Sequence, residues 1–413
     1  MFNFFKNKSF IKKALNIGVS YKIAKLLANW KAEGFMKEAF LFNIEETKKA
    51  YTGHKPTIWC SNFVPRELIY SIGGVPFMPE VAAGFVSTIG MAEKALHKAE
   101  SNWLNNDLCS IHRCGTGLML EGYMPEPDYI IASSHLCDGA KRYLQQISRE
   151  YEVPFYLLEI SYYKNDVDYL AQQLKKLVND ISNDIGNSVN FAEVFERSNN
   201  AYNYHEKINE LRKKDPVVFS GEKAMNLAPM EFMSFGSKRG TMFYKKLANT
   251  IEKRLEKEEG VIDQQKHRLL WLHLKPYYSQ EIFKTLRPKG AVISFEEYYQ
   301  LYWDKLNINK PYYSLAQKMI NHFGWGELEE QKKEILNLIN DYNIDGVIAF
   351  SHWGCKQNNA RMGMLKRKIK DENNIPFLNI HGDLIDSRNY QAGQLKTRLE
   401  AFIELISMQK REV

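Results

Sequence analysis

The chain has 413 residues, enough for two or three domains with cores of their own. Hydrophobic residues make up 44% and charged residues 25%, the balance of a folded globular protein, and the net charge of +7 is mild for this length. Five irregularly spaced cysteines exclude a secreted disulfide framework, and no run of about 18 apolar residues exists to span a membrane. The basic excess is partly local, in Lys6, Lys8, Lys12, Lys13, Lys22 and Lys25. It would suit an anionic ligand such as a nucleotide-bearing thioester, but a solvated face accounts for it, and no nucleic-acid or membrane partner is expected. The N-terminal lysines interrupt the apolar residues, unlike a signal peptide. The expectation is a cytoplasmic protein with reduced thiols.

Residues 1–50 read as helices. Ile11, Ala14, Leu15 and Ile17 begin an apolar stripe that Ile23, Leu26, Leu27 and Trp30 continue. From Thr57 the pattern changes to short strands alternating with helices. Ile58-Trp59 reads as a strand end and Pro65 to Ile69 as a helix start. Gly73-Gly74 reads as its stop, and Val75 to Met78 as a second strand. Residues 92–106 read as helix, Tyr129–Ala132 as a buried strand, Ala140–Glu150 as helix and Val153–Leu158 as strand. Residues 165–258 read as mostly helical and rich in Lys, Glu and Asn. A second alternating unit starts near Arg268. It contains a helix over Leu328–Tyr342, a strand over Gly346–Phe350, a helix through Met362–Ile369 and a strand over Pro376–Ile380, and a last helix covers Gln394–Met408.

This alternation predicts an α/β protein with two Rossmann-like parallel-sheet domains plus helical N-terminal and bridging segments. The expected divisions are 1–50 for the N-terminal helices, 51–164 for the first α/β domain, 165–258 for the helical bridge and 259–413 for the second α/β domain.

Three cysteines stand in settings that suggest metal ligation. Cys109 lies in Asp107-Leu108-Cys109-Ser110. Cys137 opens Cys137-Asp138-Gly139-Ala140 after one apolar strand, and Cys355 ends Ser351-His352-Trp353-Gly354-Cys355 after another. Ligands bind at the C-terminal edge of open α/β sheets, and three thiolates gathered there could hold three corners of an iron–sulfur cube. For any one of them, a buried inert cysteine is the alternative.

The stretch Cys60-Ser-Asn-Phe-Val-Pro-Arg-Glu-Leu-Ile-Tyr-Ser-Ile-Gly-Gly-Val-Pro, then Leu108-Cys109 and Cys137-Asp138-Gly139, come in a characteristic order. They are followed by Asp345-Gly-Val-Ile, Cys355, Asn374-Ile-Pro-Phe and Gly393 to Glu404. In this combination the chain resembles the 2-hydroxyacyl-CoA dehydratase family, which includes benzoyl-CoA reductase relatives and double-cubane-cluster proteins. The resemblance covers residues 55–160 and 335–408.

It implies a 4Fe-4S cluster on Cys109, Cys137 and Cys355, an acyl-CoA substrate and a related second subunit in a heterodimer or homodimer. It also implies a separate ATP-dependent iron–sulfur activator protein that delivers one electron. The implied reaction is elimination of water from an (R)-2-hydroxyacyl-CoA through a ketyl radical, giving the enoyl-CoA. Ser61 and Glu80 match positions where the family places polar groups beside the open iron, Ser61 for the thioester oxygen or leaving hydroxyl and Glu80 as a base or proton shuttle. An ordinary surface carboxylate is the alternative for Glu80.

Cys60 is expected near the site but off the cluster, and Cys114 as a buried structural thiol. His112, His135 and His352 flank the ligands, as sulfur hydrogen-bond donors or as packed histidines. No Walker A sequence occurs, so ATP belongs to another protein. The rival readings are a benzoyl-CoA-reductase-like subunit reducing an aromatic thioester, a double-cubane reductase, which would need more thiols, and a non-catalytic electron-transfer subunit.

Overall fold

The computed structural model describes residues 34–412, apart from Trp103, Tyr163, 301–303 and Phe323. Most of the N-terminal segment expected to be helical, with its six lysines, lies outside the described residues. Its end is a helix over Gly34–Thr52.

Two four-stranded sheets carry the fold, each parallel throughout. The first contains β1 (Thr57–Cys60), β2 (Val75–Phe77), β3 (Tyr129–Ser133) and β4 (Phe155–Leu158) in the order β2-β1-β3-β4. The second contains β5 (His267–Leu272), β6 (Ala291–Glu296), β7 (Gly346–His352) and β8 (Phe377–Gly382) in the order β6-β5-β7-β8. The α/β class is as the alternation predicts, and one strand order is used twice. Every residue of β3 and β7 is buried, because helices cover both faces of each sheet. In both sheets the order reverses between the first and third strands, which opens a crevice at their C-terminal ends. Ser61 follows β1, Cys137 lies just past β3, and Cys355 lies just past β7.

Two local expectations are corrected. β6 has no counterpart in the sequence reading, because Ser294 and Glu296 interrupt its apolar run; both are nevertheless buried, since Arg212 bonds the Glu296 carboxylate and the Ser294 carbonyl. The helix expected over 92–106 stops at Glu100. Beyond it, the side chain of Asn105 accepts from the Asp107 amide, a local turn that competes with helix.

The helices Val167–Ile185, Phe191–Arg212 and Lys238–Glu256 pack beside the sheets. Phe191–Arg212 touches both units: Ser198 donates to Glu67, just past β1, and Arg212 forks onto Glu296 at the end of β6. No described helix is long and apolar enough to cross a membrane.

Candidate metal centre and active site

Cys109, Cys137 and Cys355 are each the N-cap of a helix: Ser110–Leu120, Asp138–Tyr151 and Lys356–Asn373 respectively. Three helix N-termini, each with unpaired N–H groups and positive dipole ends, therefore meet at three thiols. Burial dominates the electrostatics and pushes all three thiol pKa values up, that of Cys137 to about 12. Against burial, backbone N–H groups of Ile111 and His112 favour the Cys109 thiolate. Those of Gly139 and Ala140 do so for Cys137, and that of Asn358 for Cys355. The Ala140 N–H donates to Cys137 Sγ at 3.2 Å. Each thiolate also disfavours its neighbours: Cys109 feels Cys137 and Cys355, and Cys137 feels Cys355. Only a cation among them would relieve both the burial and the mutual repulsion.

Among the described residues, no three His, Cys, Asp or Glu side chains close around a single metal ion. One ion would need its sulfurs about 2.3 Å from a common point. The three thiols are near enough to feel one another's charge.

Glycines permit the convergence. A β-carbon on Gly354 would lie 2.4 Å from Cα of Cys109, so the loop after β7 can reach the Cys109 backbone only without a side chain there. Gly139 leaves room for His112, whose ring stacks on Tyr143 with centroids 5.1 Å apart. His352 Nε2 is 3.2 Å from Cys109 Sγ, and its other nitrogen is 3.8 Å from Asp383. Asp383 is fixed in turn by Ser110 Oγ and by the Ile385 and Asp386 amides. Of the three flanking histidines, His352 thus touches a thiol and His112 packs beside Cys137. His135 turns away, bonding Ser133 Oγ at 3.0 Å and meeting Phe63, His322 and Trp325.

Ser61 and Glu80 are both buried at the edge of the first sheet. The Ser61 amide donates to Ile131 of β3, and its hydroxyl faces Ser133 Oγ at 3.4 Å. Glu80 stands in the first turn of the helix Pro79–Thr88, with Oε2 buried and unpartnered. Burial lifts its pKa to about 7, and its charge is felt at Cys137. It is therefore not a surface carboxylate. Cys60 is enclosed, takes a hydrogen bond from Arg66 at 3.2 Å, and is pushed by burial up to about 11. Cys114 is fully buried within the apolar core.

Residues 61–406 match the profile of the 2-hydroxyglutaryl-CoA dehydratase, D-component, family. The chain belongs to that family. It is named for a dehydration, a hydro-lyase reaction on a CoA thioester. The chain is similar to the (R)-phenyllactyl-CoA dehydratase alpha subunit of Clostridium sporogenes, with 21% identity covering 92% of this chain and 97% of the relative. The (R)-2-hydroxyisocaproyl-CoA dehydratase alpha subunit of Clostridioides difficile is 22% identical over 88% of this chain and 93% of its own length. A benzoyl-CoA reductase subunit of Thauera aromatica is 24% identical over 85% of this chain and 89% of its own length.

The sequence reading missed Asp383 and Tyr298. Tyr298 is buried and feels the Cys355 charge. Asp383 follows β8 at the same C-terminal edge as the cysteines, and that position is the only signal that could have found it.

Proposed function

We propose that this family member is the iron–sulfur subunit of a radical (R)-2-hydroxyacyl-CoA dehydratase, with Cys109, Cys137 and Cys355 holding a 4Fe-4S cluster. The observation that carries the proposal is that three N-cap thiols feel one another's charge, with Glu80 felt at Cys137. The donor set fits: three thiols feel one another's charge, and backbone N–H groups favour their ionised forms. When bound, such a cluster supplies an open Lewis-acidic iron and one-electron chemistry at the thioester.

The chain's own residues would do the rest. Ser61 Oγ, held by its backbone bond to β3, can donate to the thioester oxygen or the departing hydroxyl. Glu80, with a pKa near 7 and one bare oxygen, is suited both to take a proton from the substrate and to return one. The burial of both excludes bulk water from competing for those positions. The partners proposed with this reading are an acyl-CoA, a related second subunit and an ATP-dependent iron–sulfur activator, in the cytoplasm.

A second reading, reduction of an aromatic thioester, is favoured by the benzoyl-CoA reductase relative. One experiment tests both. The protein is purified without oxygen, assayed for iron and sulfide, examined by electron paramagnetic resonance, and supplied with partner subunit, activator, reductant and ATP. Enoyl-CoA formation with the electron recycled supports the dehydratase. Stoichiometric electron use on an aromatic thioester, with no enoyl product, supports the reductase. A chain without iron overturns the cluster.

A further inference from the structure

A cavity of about 90 Å³ opens next to the loop that carries Ser61, and its lining is chemically selective. Its walls are aromatic and apolar, from Phe63, Phe232, Phe235 and Met319. Its polar lining includes two acids, Glu67 and Glu231, and two bases, Arg66 and Lys318.

Both bases are already bonded. Arg66 donates to the Phe232, Val64, Ser61 and Asn62 carbonyls and to the sulfurs of Cys60 and Met78. Lys318 donates to Glu67 Oε1 at 2.7 Å, where Ser198 donates as well. The acceptors are in excess: Glu67 Oε2, Glu231 Oε2 and Asn62 Oδ1 are buried without partners. An amide can present either end by rotation, but an ionised carboxylate only accepts. Although burial works against ionisation, Lys318 and Ser198 hold the Glu67 carboxyl below its ordinary range. A buried acceptor without a donor is costly, roughly 1–3 kcal/mol, so the cavity is complementary to a ligand that brings a donor. The two acids balance the two bases, and a neutral donor fits better than a charged tip, which would lie buried without a counter-ion.

The cavity lies beside residues of the candidate site. Asn62 and Phe63 directly follow Ser61, and the Phe63 ring meets His135, which bonds Ser133 opposite Ser61. Tyr298 carries the lining toward Cys355.

We propose that this cavity receives the acyl side chain of the thioester, and that this side chain is an aromatic ring bearing a hydroxyl that donates to the Glu67 carboxylate. The inference rests on the acyl-CoA reading of the site and names its substrate class.

The test is equilibrium binding to the full-length, anaerobically purified chain without activator. The probes are para-hydroxyphenylpropionyl-CoA, phenylpropionyl-CoA and para-carboxyphenylpropionyl-CoA; none has a 2-hydroxyl, so none can be dehydrated. The expected order is hydroxyl first, by about tenfold over the plain ring, with the carboxylate weakest. The paired change Glu67→Leu with Lys318→Met should bring the hydroxyl and plain rings to parity, whereas Asn62→Leu, which leaves the Glu67 carboxylate in place, should keep the preference, and unfolding midpoints should show both chains folded. The paired change removes acid and base together, so no buried charge is stranded. Equal binding of the hydroxyl and plain rings, or tightest binding of the carboxylate, overturns the cavity assignment and leaves the dehydratase reading standing. Failure of all three thioesters to bind overturns both.

Discussion

Gly354 and Cys109 meet backbone to backbone: a β-carbon on Gly354 would stand 2.4 Å from Cα of Cys109 and 2.8 Å from its nitrogen. These residues belong to different units of the fold, one following β7 and the other opening the helix Ser110–Leu120. Their contact is where the second unit delivers Cys355 to the thiols of the first. Backbone cannot give way as a flexible side chain can, so a methyl here must push the loop aside. Gly354→Ala should cost about 1–3 kcal/mol and strip most of the iron from the anaerobic protein. Retention of full iron by a folded Gly354→Ala protein would show that this approach does not set the cysteine positions.

The N-cap arrangement makes the cysteines unequal. Cys109→Ala, Cys137→Ala and Cys355→Ala each remove one of the three converging thiols, and each should lose most of the iron and the paramagnetic signal. Cys114→Ala should keep both, because that thiol lies in the apolar core against the inner face of its helix. Iron and sulfide analysis of the four proteins decides the matter; loss in Cys114→Ala with retention in Cys109→Ala would reverse the assignment.

Glu80 gives a pH signature that does not depend on turnover. Its folded pKa, about 7, lies above the ordinary carboxyl value of 4.5 because burial penalises the charge. Between those two values the unfolded chain has already released the proton that the folded chain retains. The stabilisation is therefore complete below about pH 4.5 and lost as pH rises through 7, with a full swing of about 3 kcal/mol. Glu80→Gln, which stays neutral, removes that slope. Urea midpoints of the apoprotein should be similar for the two forms near pH 5, with the variant more stable at pH 8. Parallel curves would mean that Glu80 is not held in its raised state. In assays with partner subunit and activator, Glu80→Gln and Ser61→Ala should both lower turnover with iron content intact.

Part of this architecture could be read from the chain because of how it is buried. β3 and β7 are covered on both faces, so they appear as unbroken apolar runs, and the helices after them follow from the spacing. β6 escaped because its Glu296 is satisfied by Arg212, which lies 84 positions away in sequence, and no local pattern encodes such a pairing. Cys137 and Cys355 were visible as residues at strand ends and Cys109 by its local setting, but their shared role as N-caps was not, since caps are ordinarily Ser, Thr, Asp or Asn. The same holds for Glu80. Its place matched the family resemblance, whereas its burial and bare oxygen arise from the packing of separate elements.

Arg212 and Glu296 join the helical layer to the second sheet, and both are almost completely buried. The guanidinium donates to both carboxylate oxygens, at 2.8 and 2.7 Å. It also lies over Phe219, Phe295 and Tyr299, 4.6–5.2 Å from their ring centroids. Burial already pushes the Glu296 carboxyl upward, and Arg212 is the chief influence opposing it. Arg212→Met would keep much of the stem's packing but leave Glu296 a buried acid without its cation. Breaking one side of such a pair costs about 3–5 kcal/mol, whereas removing both partners costs far less. We expect Arg212→Met to be strongly destabilised in urea, and the double change Arg212→Met with Glu296→Leu to recover most of the loss. Because neither partner is one of the candidate ligands, the double variant should bind iron as the parent does. If it folds yet loses its iron, the pair does more than hold the helix to the sheet: it would also fix how the second unit presents Cys355.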